Sequence, residues 1–167
     1  PFDRGYRADV ELGGAYVDTF AQRLTHTSSN LVKDMIYVID KVNPPNKFEI
    51  FATVLEHPNA ILRLETLAVI GRSGTDECFD YIARVIKQHP DAQMRSQAAR
   101  MLPNFSPEQG GDLLLGIIQS EAFEKASDSE KKALFAAVVM MRAPQTEAFL
   151  RDIFEQKSGM FAKKKVD

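Results

Sequence analysis

Apolar residues recur along this 167-residue chain at intervals of three and four, the spacing that lines one face of an α-helix. Over 30–42 they are Leu31, Val32, Met35, Ile36 and Ile39, and over 46–56 they are Phe51, Val54 and Leu55. Three later stretches show the same spacing: Leu64, Leu67, Ala68 and Ile70; Ala98, Ala99 and Leu102; Phe135, Ala136 and Val139. Segments 76–88, 107–119 and 144–156 predict helices whose apolar columns align: Ile82, Leu114 and Leu150; Val85, Ile117 and Ile153; Ile86, Ile118 and Phe154. Val10, Leu12, Tyr16, Val17, Phe20 and Leu24 predict a leading helix over 10–24, weakened in its first turn by Gly13 and Gly14. Residues 1–7 read as irregular. Period-two alternation is absent, so the pattern predicts an all-α fold without a sheet.

The helices repeat. His57-Pro58-Asn59-Ala60-Ile61-Leu62-Arg63 returns 32 residues later as His89-Pro90-Asp91-Ala92-Gln93-Met94-Arg95. A looser copy starts at Asp128, after about five extra residues, and sets Lys132 where the others have arginine. Asn59, Asp91 and Asp128 suit N-caps, because their side chains accept from free amides of the first helical turn. Pro58 and Pro90 stop the preceding helices. Gly71 and Gly74 end one helix and Pro103 another, while Pro107 and Pro144 suit first-turn positions. Each unit is a first helix (A), a turn and a second helix (B). The repeats run about 28–57, 58–89, 90–126 and 127–160, giving four helix pairs plus the leading helix. One pair cannot bury its own apolar face, whereas stacked pairs can.

The run Asn/Asp-Ala-x-Leu/Met-Arg followed by spaced apolar residues resembles the first helix of a HEAT repeat. The resemblance covers about residues 28–156. It implies a right-handed α-solenoid of about four stacked antiparallel helix pairs. It also implies a polar ladder between successive repeats, formed by Asn59, Arg63, Asp91, Arg95, Asp128 and Lys132. The unit is shorter than the roughly 40–47 residues of the long form, and is similar to the short bacterial variety related to repeats of phycobilin-lyase-like proteins. Residues 120–165 resemble a longer repeat after which another helix pair follows. With the start at Pro1, the expectation is a single repeat domain over 1–167 that belongs to a longer protein.

Charge and chemistry narrow the function. The 21 basic and 23 acidic residues leave a net charge of −2, against the basic excess that phosphate binding favours. The basic run Lys163, Lys164 and Lys165 reads as a solvated segment. Cys78 is the one cysteine, so no internal disulfide forms, which points to a reducing, cytoplasmic setting. No apolar run reaches the roughly 20 residues a membrane span needs. Cys78 has no nearby histidine or second cysteine to make it a nucleophile. Ser73-Gly74 and Gly110-Gly111 read as single turns, not phosphate cradles. His57 and His89 sit at helix C-termini, where the helix dipole favours a cation, and lie too far apart to share a metal ion. His26 has no partner in sequence. The expectation is a non-enzyme with no cofactor and no metal.

One surface carries the functional expectation. Glu49, Asp80 and Asp112 share an exposed B-helix column, with Glu77 and Glu108 one turn before the latter two and Tyr81 and Arg84 beside them. Such a strip suits a protein or peptide with a basic patch, although acidic residues near helix N-termini are also ordinary solvated positions. The adjoining column Ile50, Tyr81, Leu113 and Phe149 reads as packing between repeats or as an apolar floor for a partner. The expected function is therefore an interaction scaffold or adaptor. Two alternatives rest on the resemblance: a DNA-binding or glycosylase-type module, which would need a basic concave face with aromatics, and an accessory to a chromophore lyase.

Overall fold

The computed structural model describes Leu24 and residues 28–163, with side chains as far as residue 155. Apart from Leu24, the leading-helix segment lies outside the described residues, as do residues 1–7, His26, Lys164 and Lys165. The described residues are helical, with no strand. The chain divides into two compact units, Pro1–Ser73 and Gly74–Asp167.

The first unit contains α1 (Ser29–Val42), α2 (Lys47–Leu55) and α3 (Ala60–Ser73). Helix α1 turns Val32, Met35, Ile36 and Ile39 into the core and ends at Asn43. Asn43 adopts a left-handed conformation (φ 52°) and donates its N–H to the Ile39 carbonyl, a geometry that asparagine tolerates better than most residues. Pro44 and Pro45 bar further helix. Both α1 and α2 pack on α3, around Phe51, Ile39, Leu62, Leu67 and Ile70, each fully buried. Leu62 and Thr66 take core positions, while Leu64 and Ala68 are half-buried. Lys33 and Glu65 join α1 to α3 at 2.6 Å; both are about 40% exposed, so solvent screening leaves the pair worth little. Gly71 does not end α3, which continues to Ser73 with Gly71 buried inside it.

The second unit contains α4 (Asp76–Gln88), α5 (Ala92–Met101), a 3₁₀ turn (Leu102–Asn104), α6 (Pro107–Ile118), α7 (Glu121–Glu124), α8 (Asp128–Met141) and α9 (Pro144–Lys163). Gly74 makes the turn into α4 at φ +65°, and a Cβ there would meet the Asn104 carbonyl oxygen at 3.1 Å. Thr75 caps α4 by accepting from the Cys78 amide. Helix α5 packs on α4 and on α8, α8 also packs on α6, and α9 lies against α6 and α8.

Three sequence expectations shift here. Phe135, Ala136 and Val139 of α8 face outward, while Ala133, Leu134, Ala137, Val138 and Met141 form the core. The cause is a cap at Ser127, one residue before Asp128; moving the register by one residue turns a helix by about 100°. Gly110 and Gly111 form no turn, because they lie buried inside α6. A Cβ on Gly110 would strike the Met141 side chain, and one on Gly111 would crowd Ala143 and Gln145. Phe154 stands 67% exposed although it aligns with the buried Ile86, since α9 has neighbours within this unit on its α6 and α8 side.

Candidate functional site

The two copies of His-Pro-Asn/Asp…Arg make the same set of hydrogen bonds at the turn from a B helix into the next A helix. The Nδ1 of His57 accepts from the Asn59 amide at 3.0 Å, and that of His89 from the Asp91 amide at 3.1 Å. Asn59 Oδ1 then accepts from the Ile61 amide at 2.9 Å, and Asp91 Oδ1 from the Gln93 amide at 2.8 Å. Arg63 Nη1 donates back to the His57 and Pro58 carbonyls at 2.8 and 3.0 Å. Arg95 Nη1 does the same for His89 and Pro90, the latter at 2.9 Å. Each turn thereby satisfies amides at the start of one helix and carbonyls at the end of the previous one, groups that neither helix can satisfy alone.

This geometry corrects the dipole account of the histidines. Each Nδ1 serves as an acceptor for a backbone N–H two residues on, which gives the rings a role in the turn that the dipole account did not include. Both rings are buried, His57 at 7% and His89 at 9% exposure. No group of three or more metal-ligating side chains occurs among the described residues.

Two of the residues expected in a polar ladder, Asn59 and Arg95, bond to a neighbouring helix, through partners the sequence did not name. Asn59 Nδ2 donates to Ser29 Oγ at 2.7 Å, joining α3 to the start of α1. Arg95 reaches α8, with its Nε 2.6 Å from Glu130 Oε1. Asp128 is not the cap. Ser127 accepts from the Glu130 amide while the Glu130 carboxylate accepts from the Ser127 amide and hydroxyl, a reciprocal capping box. Lys132 is exposed. Lys131 stands four positions after the cap, as Arg63 and Arg95 do, and donates to the Glu124 carbonyl at 2.9 Å. Sequence reasoning missed Ser127 and Glu130, although Ser-x-x-Glu before an apolar run is itself a cap signature. Asp128 drew the assignment because it matched Asn59 and Asp91 in type.

Glu130 stands three residues after its cap, as Leu62 and Met94 do after Asn59 and Asp91, and is 7% exposed. Burial pushes its carboxyl up, but hydrogen bonds from Arg95 and Ser127 and the guanidinium charge outweigh this and hold it below its ordinary value. The carboxylate is thus charged, buried and fully engaged.

Of the predicted partner surface, Glu49 is exposed on α2 in the first unit; Asp80 on α4 and Asp112 on α6 are exposed in the second. The Arg84 guanidinium lies 4.8 Å from the Tyr81 ring centre, a cation–π distance. Asp112 Oδ1 accepts from Gln145 Nε2 at 3.1 Å. Ile50 is buried at 6%, while Tyr81, Leu113 and Phe149 are half-buried. Glu77 and Glu108 are exposed. Cys78 is fully buried, its sulfur accepting from the Thr75 hydroxyl at 3.1 Å, which suits a core residue and not a nucleophile.

Comparison with protein-family models finds no match for the chain, and comparison with curated proteins finds none either. Among the described residues no helix is long and apolar enough to cross a membrane.

Proposed function

We propose that this chain is a HEAT-like α-solenoid that acts as a non-catalytic scaffold for another protein, held through exposed B-helix positions. The observation that carries this reading is the duplicated turn. Two segments 32 residues apart make one hydrogen-bond set, with His, Pro and Arg at the same offsets and Asn or Asp as the cap. Such identity favours a repeat unit copied along the chain. The A-on-A packing of α1 with α3 and of α5 with α8 supports the same reading. Stacked repeats present rows of outward side chains, and side chains already ordered on helices lower the cost of binding.

The surface assigned is Glu49, Asp80, Tyr81, Arg84 and Asp112, and the partner class is a protein or peptide with a basic patch. Charge reversal at Glu49, Asp80 and Asp112 (all to Lys) tests it. Affinity capture is run with both proteins at low and raised salt, with helicity followed by circular dichroism. Proteins retained by the wild type and lost by the variant at unchanged helicity support the surface. Identical retention removes it.

A further inference from the structure

The extra residues before the last repeat build a cleft. Helix α7 and the turn after it stand between α6 and α8, and with the end of α4 and the start of α5 they enclose about 390 Å³. This lies within the range of small-molecule sites, roughly 300–1,000 Å³. Ile86, Ile117, Phe123 and Leu134 supply apolar wall. The Phe123 ring is held edge-on to Phe135 at 5.8 Å between centres, with Lys131 Nζ 5.5 Å from its own centre.

Polar groups in this cleft are unevenly matched. Lys87 and Lys125 line it and are exposed. The lining carries one carboxylate, Glu130, whose oxygens are already taken by Arg95 and Ser127. The cleft therefore holds a surplus of two positive charges. Ser96 also lines it, 5% exposed, and its Oγ has no hydrogen-bond partner among the described residues. A buried hydroxyl left unmatched costs about 1–3 kcal/mol, a cost that an ordered water or a ligand group at this wall offsets. His89 contributes a ring whose Nδ1 is occupied by the Asp91 amide, leaving Nε2 as its other polar atom.

We infer that this cleft is a binding site for a small organic carboxylate with an apolar arm. The arm lies against Ile86, Ile117 and Leu134, the carboxylate is attracted by Lys87 and Lys125, and Ser96 Oγ donates to it. The inference is independent of the scaffold reading and uses none of its surface residues.

The test is titration of the 167-residue chain with octanoate, 1-octanol and a blocked Ala-Ala-Leu peptide with a free C-terminus. Binding is followed by calorimetry and by amide NMR shifts. The expected result is saturable octanoate binding with shifts centred on Ser96, Ile117 and Ala122, and about tenfold weaker binding of octanol. Lys87→Ala with Lys125→Ala lowers octanoate affinity about tenfold without changing that for octanol; both lysines are exposed, so the fold is retained. Ser96→Ala lowers octanoate affinity several-fold at unchanged helicity. Absence of saturable binding, equal affinity for octanoate and octanol, an unaffected double variant, or tighter binding of the peptide than of octanoate each overturns the inference.

Discussion

At the scale of single residues, Arg95 ties together more of the molecule than any sequence column suggested. It closes the α4–α5 turn through two carbonyls and holds Glu130 at the start of α8. Its removal leaves a buried carboxylate without its cation, which for a fully buried pair costs about 3–5 kcal/mol. Arg95 is itself 27% exposed, so Arg95→Ala is expected to lose about 2–3 kcal/mol in urea unfolding. Glu130 also makes stability depend on pH. Its folded-state pKa lies below the ordinary 4.5, so its contribution is complete above about pH 4.5 and is lost as pH falls through the lower folded value. Urea unfolding at pH 6 and pH 3 should therefore show a steeper acid loss in the wild type than in Glu130→Gln, and equal slopes would refute the assignment. The turn histidines make a smaller prediction. His89→Ala frees the Asp91 amide and should cost about 1 kcal/mol.

At the scale of elements, caps decide register. The A helices begin after Asn59, Asp91 and Ser127, and the last of these sets which face of α8 is buried. Ser127→Ala is expected to destabilise the chain by about 1 kcal/mol in thermal or urea melts, whereas Asp128→Ala, outside the cap, should lose less. Gly74 links α3 to α4 in a left-handed conformation facing the Asn104 carbonyl. Gly74→Ala should cost about 1–2 kcal/mol, with far-UV circular dichroism little altered because the flanking helices persist. Much of this level was legible in advance. The helices over 30–42, 46–56, 76–88 and 107–119 were bounded within about one residue of those observed, since periodic apolar residues and prolines are local signals. The α8 face was misread because two cap-competent residues, Ser127 and Asp128, stand side by side. Only the reciprocal bond with Glu130 chooses between them.

At the scale of the molecule, burial differs sharply between the last two helices of the second unit. Ala133, Leu134, Ala137 and Val138 of α8 are at most 5% exposed, whereas every residue from 147 to 155 in α9 is exposed or half-buried. Hydrogen exchange should follow this division, with α8 amides from 133 to 138 protected well beyond those of 147–155; the reverse order would place the stable core elsewhere. The chain by itself determined the all-helical composition, the 32-residue recurrence and the turn motif, because helix period, proline geometry and side-chain capping act within a few residues of one another. It also showed that the looser third recurrence starts about five residues late, though not what those residues do. Tertiary structure alone decided that Arg95 pairs with Glu130 across 35 positions, that Gly110 and Gly111 lie under close-packed side chains, and that the inserted segment walls a cleft around an unmatched Ser96 hydroxyl. Those outcomes depend on which distant groups meet once apolar faces are buried. A pairing at long range leaves no periodic mark in the sequence.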